Sequence, residues 1–187
     1  MKNLRQMVET LRSPQVTNPA VFIAKCVDDI KRELKSTNET HKATALSKLV
    51  YLKLSGLDIR WACFHIIEVM SIPRFRLKRI GYLAAEQVFD KSTEVVLLAN
   101  NLLKKQLSSK DPYEVGLALS CLSNIVTPDL AQDLLQDITN LMTKSKIPYV
   151  RQKATLVIFK LFEQYPDGLR LSFDALKQRL SEKNSSV

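Results

Sequence analysis

The sequence predicts an all-α fold, a solenoid of antiparallel helix pairs, on three observations. Its four glycines and seven prolines fall nearly all between apolar-periodic segments, where they mark helix starts and stops. No alternating run long enough for a strand breaks that pattern. Third, the pair starts recur: Asn38, Arg74, Asp111 and Pro148 stand roughly 37 residues apart, within the range of helical repeats.

Each element has its own local signal. Leu4 to Leu11 and Val21 to Leu34 read as two helices divided by Pro14 and Pro19, an N-terminal part spanning 1–36. Four helix pairs then fill 37–187. In the first, Asn38 caps a helix through Ala43, Leu46, Leu49, Val50 and Leu54 that stops at Gly56, and Asp58 caps Trp61 to Met70. Pro73 opens the second pair with Leu77, Ile80, Leu83 and Ala84, and a turn from Asp90 to Ser92 leads to Val95, Leu98, Leu102 and Leu107. Asp111-Pro112 and Thr127-Pro128 each set a cap and a first-turn proline, before Val115 to Val126 and before Leu130 to Met142. The last pair opens at Pro148, breaks at Tyr165-Pro166-Asp167-Gly168 and resumes from Leu169 to Leu180.

Ala43, Ile80, Leu117 and Ala154 occupy matching places in the four pairs. A pair of this kind, as in HEAT and armadillo repeats, cannot bury its apolar face alone, so neighbours stack into one core and open ends need caps or further repeats. The tail Ser-Glu-Lys-Asn-Ser-Ser-Val offers no polar capping repeat, so the chain is expected to be a fragment of a longer array.

Composition bounds the function. Of 187 residues, 45% are hydrophobic and 25% charged, the balance of a folded chain. The net charge of +9 points to an acidic partner, whether anionic lipid, nucleic acid or an acidic protein face, or simply to a solvated basic surface. Cys26, Cys63 and Cys121 are odd in number and set in apolar helical patterns, as in a reducing compartment. With no signal peptide and no run long enough to cross a bilayer, a cytoplasmic protein or one docked on a membrane from the cytosol is expected.

Catalytic chemistry finds little support. His41 and His65 lack further ligands at metal-binding spacing, and no phosphate loop, nucleophile elbow or paired-cysteine motif occurs. His65 and Glu68 can share a helix face, the sole basis for an enzyme reading, but such couples are usually structural. The expectation is a binding scaffold, with no catalytic residue, no metal and no cofactor. A helical-repeat carrier or nucleic-acid scaffold remains the alternative, suggested by charge and period alone.

The informative anomaly is Trp61 to Met70, apolar around most of its circumference. Such a helix is either sandwiched or gives one stripe to a partner. Trp61 and Val69 read as core, whereas Phe64 and Ile67, three apart, are candidates for a partner, and Val95, Leu98 and Leu102 carry the same ambiguity. Basic residues cluster at Arg74, Arg76, Lys78 and Arg79, and again at Arg151 and Lys153.

Tyr51-Leu52-Lys53-Leu54-Ser55-Gly56-Leu57-Asp58-Ile59-Arg60-Trp61, Ile66-Ile67-Glu68-Val69-Met70-Ser71 and Lys78-Arg79-Ile80-Gly81-Tyr82-Leu83-Ala84-Ala85 resemble the trunk of large adaptin subunits. Trp61, the Glu68 to Ser71 run and Val126-Thr127-Pro128-Asp129-Leu130-Ala131 resemble one branch of that family in particular. The resemblance spans nearly the whole chain. It implies a trunk piece of a heterotetrameric coat adaptor that sorts membrane cargo from Golgi or endosomes towards lysosomes or vacuoles.

Implied partners are the small sigma subunit, the other large and medium adaptor subunits, an Arf-family GTPase, an anionic membrane surface and sorting-signal cargo, with no nucleic acid. Positions that hold the GTPase in the gamma branch correspond to Phe64, Ile67 and Leu98, where leucines of the relative become Phe64 and Ile67. A phosphoinositide site of the alpha branch corresponds to Lys42 and Lys48, with Ala43 and Thr44 in place of lysines, which implies a weakened or absent lipid site. Lys25 corresponds to a basic residue that helps hold acidic dileucine cargo.

Overall fold

The computed structural model describes residues 3–13, 18–89 and 95–180. Within them every regular element is a helix, and no strand occurs among the described residues. Two compact units divide the chain, Met1–Val88 and Phe89–Val187.

The first unit holds α1 (Leu4–Arg12), α2 (Pro19–Leu34), α3 (Glu39–Leu54), a 3-10 turn (Arg60–Ala62), α4 (Cys63–Met70) and α5 (Phe75–Val88). Its first three helix starts are held by asparagines. Asn3 and Gln6 exchange reciprocal bonds in a capping box, and the Asn18 and Asn38 side chains accept from the first amides of α2 and α3. At the far end of α3, Gly56 takes φ +96°, which lets its amide donate to the Lys53 carbonyl while that of Leu57 donates to Leu52. This is the paired C-terminal cap for which glycine is favoured.

Asp58 acts one element earlier than its spacing suggests. Its carboxylate accepts from the Arg60 amide at 3.1 Å, at the first residue of the 3-10 turn, and α4 proper begins only at Cys63. Helix α3 is sandwiched, touching α1, α2, α4 and α5. Leu46, Leu49 and Leu52 on it pack fully buried in a core that includes Met7, Ile30, Leu34, Ile66 and Tyr82.

The second unit holds α6 (Val95–Leu107), α7 (Pro112–Ile125), α8 (Pro128–Lys144), α9 (Pro148–Gln164) and α10 (Asp167–Leu180). Asp111 accepts from the Tyr113 amide and Thr127 from Leu130, each beside a first-turn proline as expected. Two layers form, α6, α8 and α10 stacked in one and α7 with α9 in the other. Leu119, Leu122, Leu134, Ile138 and Ile158 fill the space between them.

Stacking in this unit has one register. Asn100 bonds Asp133, Ser120 receives a bond from Lys153, and Thr139 bonds Ser172, each pair 33 residues apart. The offset falls about one helical turn short of the repeat length, because a side chain meets the one a turn ahead of its counterpart in the next repeat.

Closest packing does not follow the pairs read from the sequence. It joins the second helix of one expected pair to the first of the next, as in α4 with α5 and α8 with α9. Gly81 explains the first case: a Cβ there would stand 2.5 Å from the Met70 amide nitrogen, so only glycine lets α5 approach the α4 backbone this closely. Of the four matched positions, Ala43 and Ala154 are fully buried while Ile80 and Leu117 are half-buried. The turn expected at Asp90 to Ser92, Pro14 and residues 181–187 lie outside the described residues.

Candidate docking site

Helix α4 separates its apolar residues into two faces. Cys63, Ile66, Val69 and Met70 are buried. The opposite stripe runs Trp61, Phe64, Glu68 and Ser71, all exposed, with Ile67 half-buried beside it. Phe64 is 67% exposed. Phe64 and Ile67, singled out in the sequence, thus fall together on solvent.

Trp61 corrects the expectation of burial, since 42% of it is exposed. Its position carried a signal for this: Glu68 lies seven residues on, two turns along the same stripe. The Lys31 ammonium of α2 stands 5.2 Å from the centre of the indole ring, within cation-π range. Val69 is fully buried, as expected.

A polar bridge borders the stripe. Glu68 is paired with Lys42 of α3, and His65 Nδ1 lies 3.5 Å from the other carboxylate oxygen. Burial pushes the Glu68 carboxyl up, but hydrogen bonds from Lys42 and His65 outweigh that and hold it below its ordinary value. The couple His65 and Glu68 therefore exists, with its acid already engaged by a lysine. At the 3-10 turn, hydrogen bonds from Arg60 hold the Asp58 carboxyl down to about 2.

Lys42 and Lys48, the lysines that the resemblance places at a lipid site, are both largely enclosed. Lys48 is 4% exposed and pairs at 2.5 Å with Glu33, itself buried on α2. Lys42 keeps 16% of its side chain exposed and is held by Glu68. Both belong to the sandwiched helix α3, where nearly every direction meets protein. In the basic clusters, Lys78 is buried, Lys153 donates to Ser120 and Arg151 to the Ser145 carbonyl, while Arg74, 3.9 Å from Glu39, lies on the surface with Arg76 and Arg79.

Lys25 is exposed on α2 and lines a cleft of about 310 Å³ whose apolar wall includes Met7, Phe22 and Ile30. Leu98 is 55% exposed on α6, in the second unit, and Leu102 is half-buried. Of Val95 the side chain lies outside the described residues. Among the described residues no three His, Cys, Asp or Glu side chains are grouped to hold a metal ion, and no helix is long and apolar enough to cross a membrane.

Residues 20–187 match the family described as the adaptin N terminal region. The AP-3 complex subunit delta-1 of Bos taurus is 48% identical over 100% of this chain and 15% of its own length. The AP-3 complex subunit delta of Eremothecium gossypii is 42% identical over 100% of this chain and 21% of its own. In structure the chain is similar to one in a homology model of the full-length AP-3 complex in an intermediate open conformation, with TM-score 0.72 and 44% identity over 80% of this chain and 26% of that one. It thus spans about a fifth or less of the curated relatives named.

Proposed function

The chain belongs to the family of adaptin N-terminal regions, and from that premise we propose that it is a non-catalytic scaffold segment recruited to membranes by an Arf-family GTPase. The adaptor it serves sorts cargo from Golgi or endosomes towards the lysosome or vacuole and is peripheral on those membranes. The stripe on α4 carries this reading: a helix buried on one side offers Phe64 and Ile67 to solvent on the other. The GTP-bound switch surface buries these two residues, and Leu98, exposed on α6, is a candidate contact of its own.

Sigma, the other large subunit and the medium subunit are the partners within the coat. The cleft beside Lys25 takes the sorting signal of cargo, the exposed lysine meeting its acidic residue. Anionic lipid contributes general attraction through the chain's net charge of +9, with Arg76 and Arg79 on the surface to supply it.

Pull-down with GTP-loaded against GDP-loaded Arf-family protein tests the reading. GTP-dependent capture that disappears in Phe64→Asp and in Leu98→Asp, with the helical circular dichroism spectrum unchanged, is the expected result. Equal capture of both nucleotide forms, or capture indifferent to Phe64, would sink it.

A further inference from the structure

We propose that Trp61 and Lys31 form the acid-reading end of the docking stripe, so that the partner must bring a carboxylate beside an apolar side chain. This rests on the reading of α4 as a docking surface. Trp61 is the chain's only tryptophan, exposed one turn before Phe64 on the same stripe. The indole therefore extends the apolar surface offered by Phe64 and Ile67.

The charges around the stripe decide what fits against it. The two carboxylates of the segment that carries the stripe are engaged, Glu68 by Lys42 and His65, and Asp58 by Arg60. Lys31 differs: its ammonium sits over the Trp61 ring, and no carboxylate among the described residues pairs with it. A cation held by an aromatic face keeps its full charge and loses little freedom when a counter-ion arrives. Docking that excludes water from the indole strengthens the attraction of Lys31 for an incoming acid. The net charge of +9 favours an acidic partner on the same side of the balance. The occupant is thus a protein surface on which an exposed apolar residue is flanked by Asp or Glu.

Because Trp61 stands alone in the chain, a 5-fluorotryptophan label on the 187-residue chain gives one fluorine resonance that reports on this site. Titration with GTP-loaded Arf-family protein is expected to shift that resonance, and the GDP-loaded form to leave it in place. Lys31→Glu is expected to weaken GTP-dependent affinity about tenfold, with Lys31→Arg close to wild type and the salt dependence of Lys31→Ala reduced. Trp61→Phe, which keeps an aromatic face, is expected to lose less than Trp61→Ala; if the alanine variant unfolds, Lys31→Glu on the exposed surface decides alone.

Wild-type affinity in Lys31→Glu, with binding abolished in Phe64→Asp, overturns this inference and leaves the docking reading intact. Affinity indifferent to Phe64→Asp but lost in Lys31→Glu refutes the docking stripe and overturns the inference that rests on it. A resonance that moves with phosphatidylserine vesicles and not with the GTPase makes the occupant a lipid surface and overturns the inference.

Discussion

Helices α3 and α4 are neighbours that invert what their compositions suggest. Helix α3 carries lysines at 42 and 48, and the fold encloses both in ion pairs, Lys48 almost completely. Helix α4 is the more apolar, yet it and the 3-10 turn before it hold Phe64 and Trp61 in solvent. The number of neighbours decides the difference: α3 is packed by four helices, whereas α4 presses one side onto the core and leaves the other open. Residue type says what burial costs, and the stacking says whether it happens.

Breaking the buried pair gives the largest expected effect. Lys48→Met strands the Glu33 carboxylate in the core and is expected to cost about 3–5 kcal/mol in urea unfolding, most of it recovered when Glu33→Gln is added. If the single variant is as stable as wild type, the pair is not enclosed as described. Next, Gly81→Ala forces a methyl against the α4 backbone and is expected to cost about 1–3 kcal/mol. Gly116→Ala meets a Tyr149 side chain that can rotate away, so a smaller loss is expected there by the same measurement.

A weaker effect belongs to Lys42, whose partner is about half exposed. Lys42→Met is expected to cost under about 1 kcal/mol at neutral pH. Since the Glu68 carboxyl is held below its ordinary value, the pair's contribution is present above the unfolded value and is lost as pH falls through the folded one. The gap between wild type and Lys42→Met should therefore close in acid denaturation, and a gap that widens on acidification contradicts the sign. The smallest change in stability is expected at the open stripe, where Phe64→Ser should lie within about 0.5 kcal/mol of wild type even though it removes a large apolar side chain.

What the sequence disclosed divides along the same line. Caps at Asn38, Asp111 and Thr127, and the stop at Gly56, were legible because each is settled by residues within a few positions. Phe64 was legible through helical periodicity. Trp61 was misjudged because its size argues for the core, although Glu68 two turns on marked the stripe as wet. The enclosure of Lys48 was hidden for a different reason: its partner Glu33 is 15 residues back on another helix, and nothing local announces the pairing. The phase of closest packing was hidden too, since it depends on how near Gly81 lets two backbones come.

The common register of the second unit has a mechanical consequence. When each helix leans on the next of its layer through the same step of 33 residues, no single joint is the place to bend. A slight tilt at one interface is repeated at the next, and the stack yields as a leaf spring does, by many small slips between similar plates.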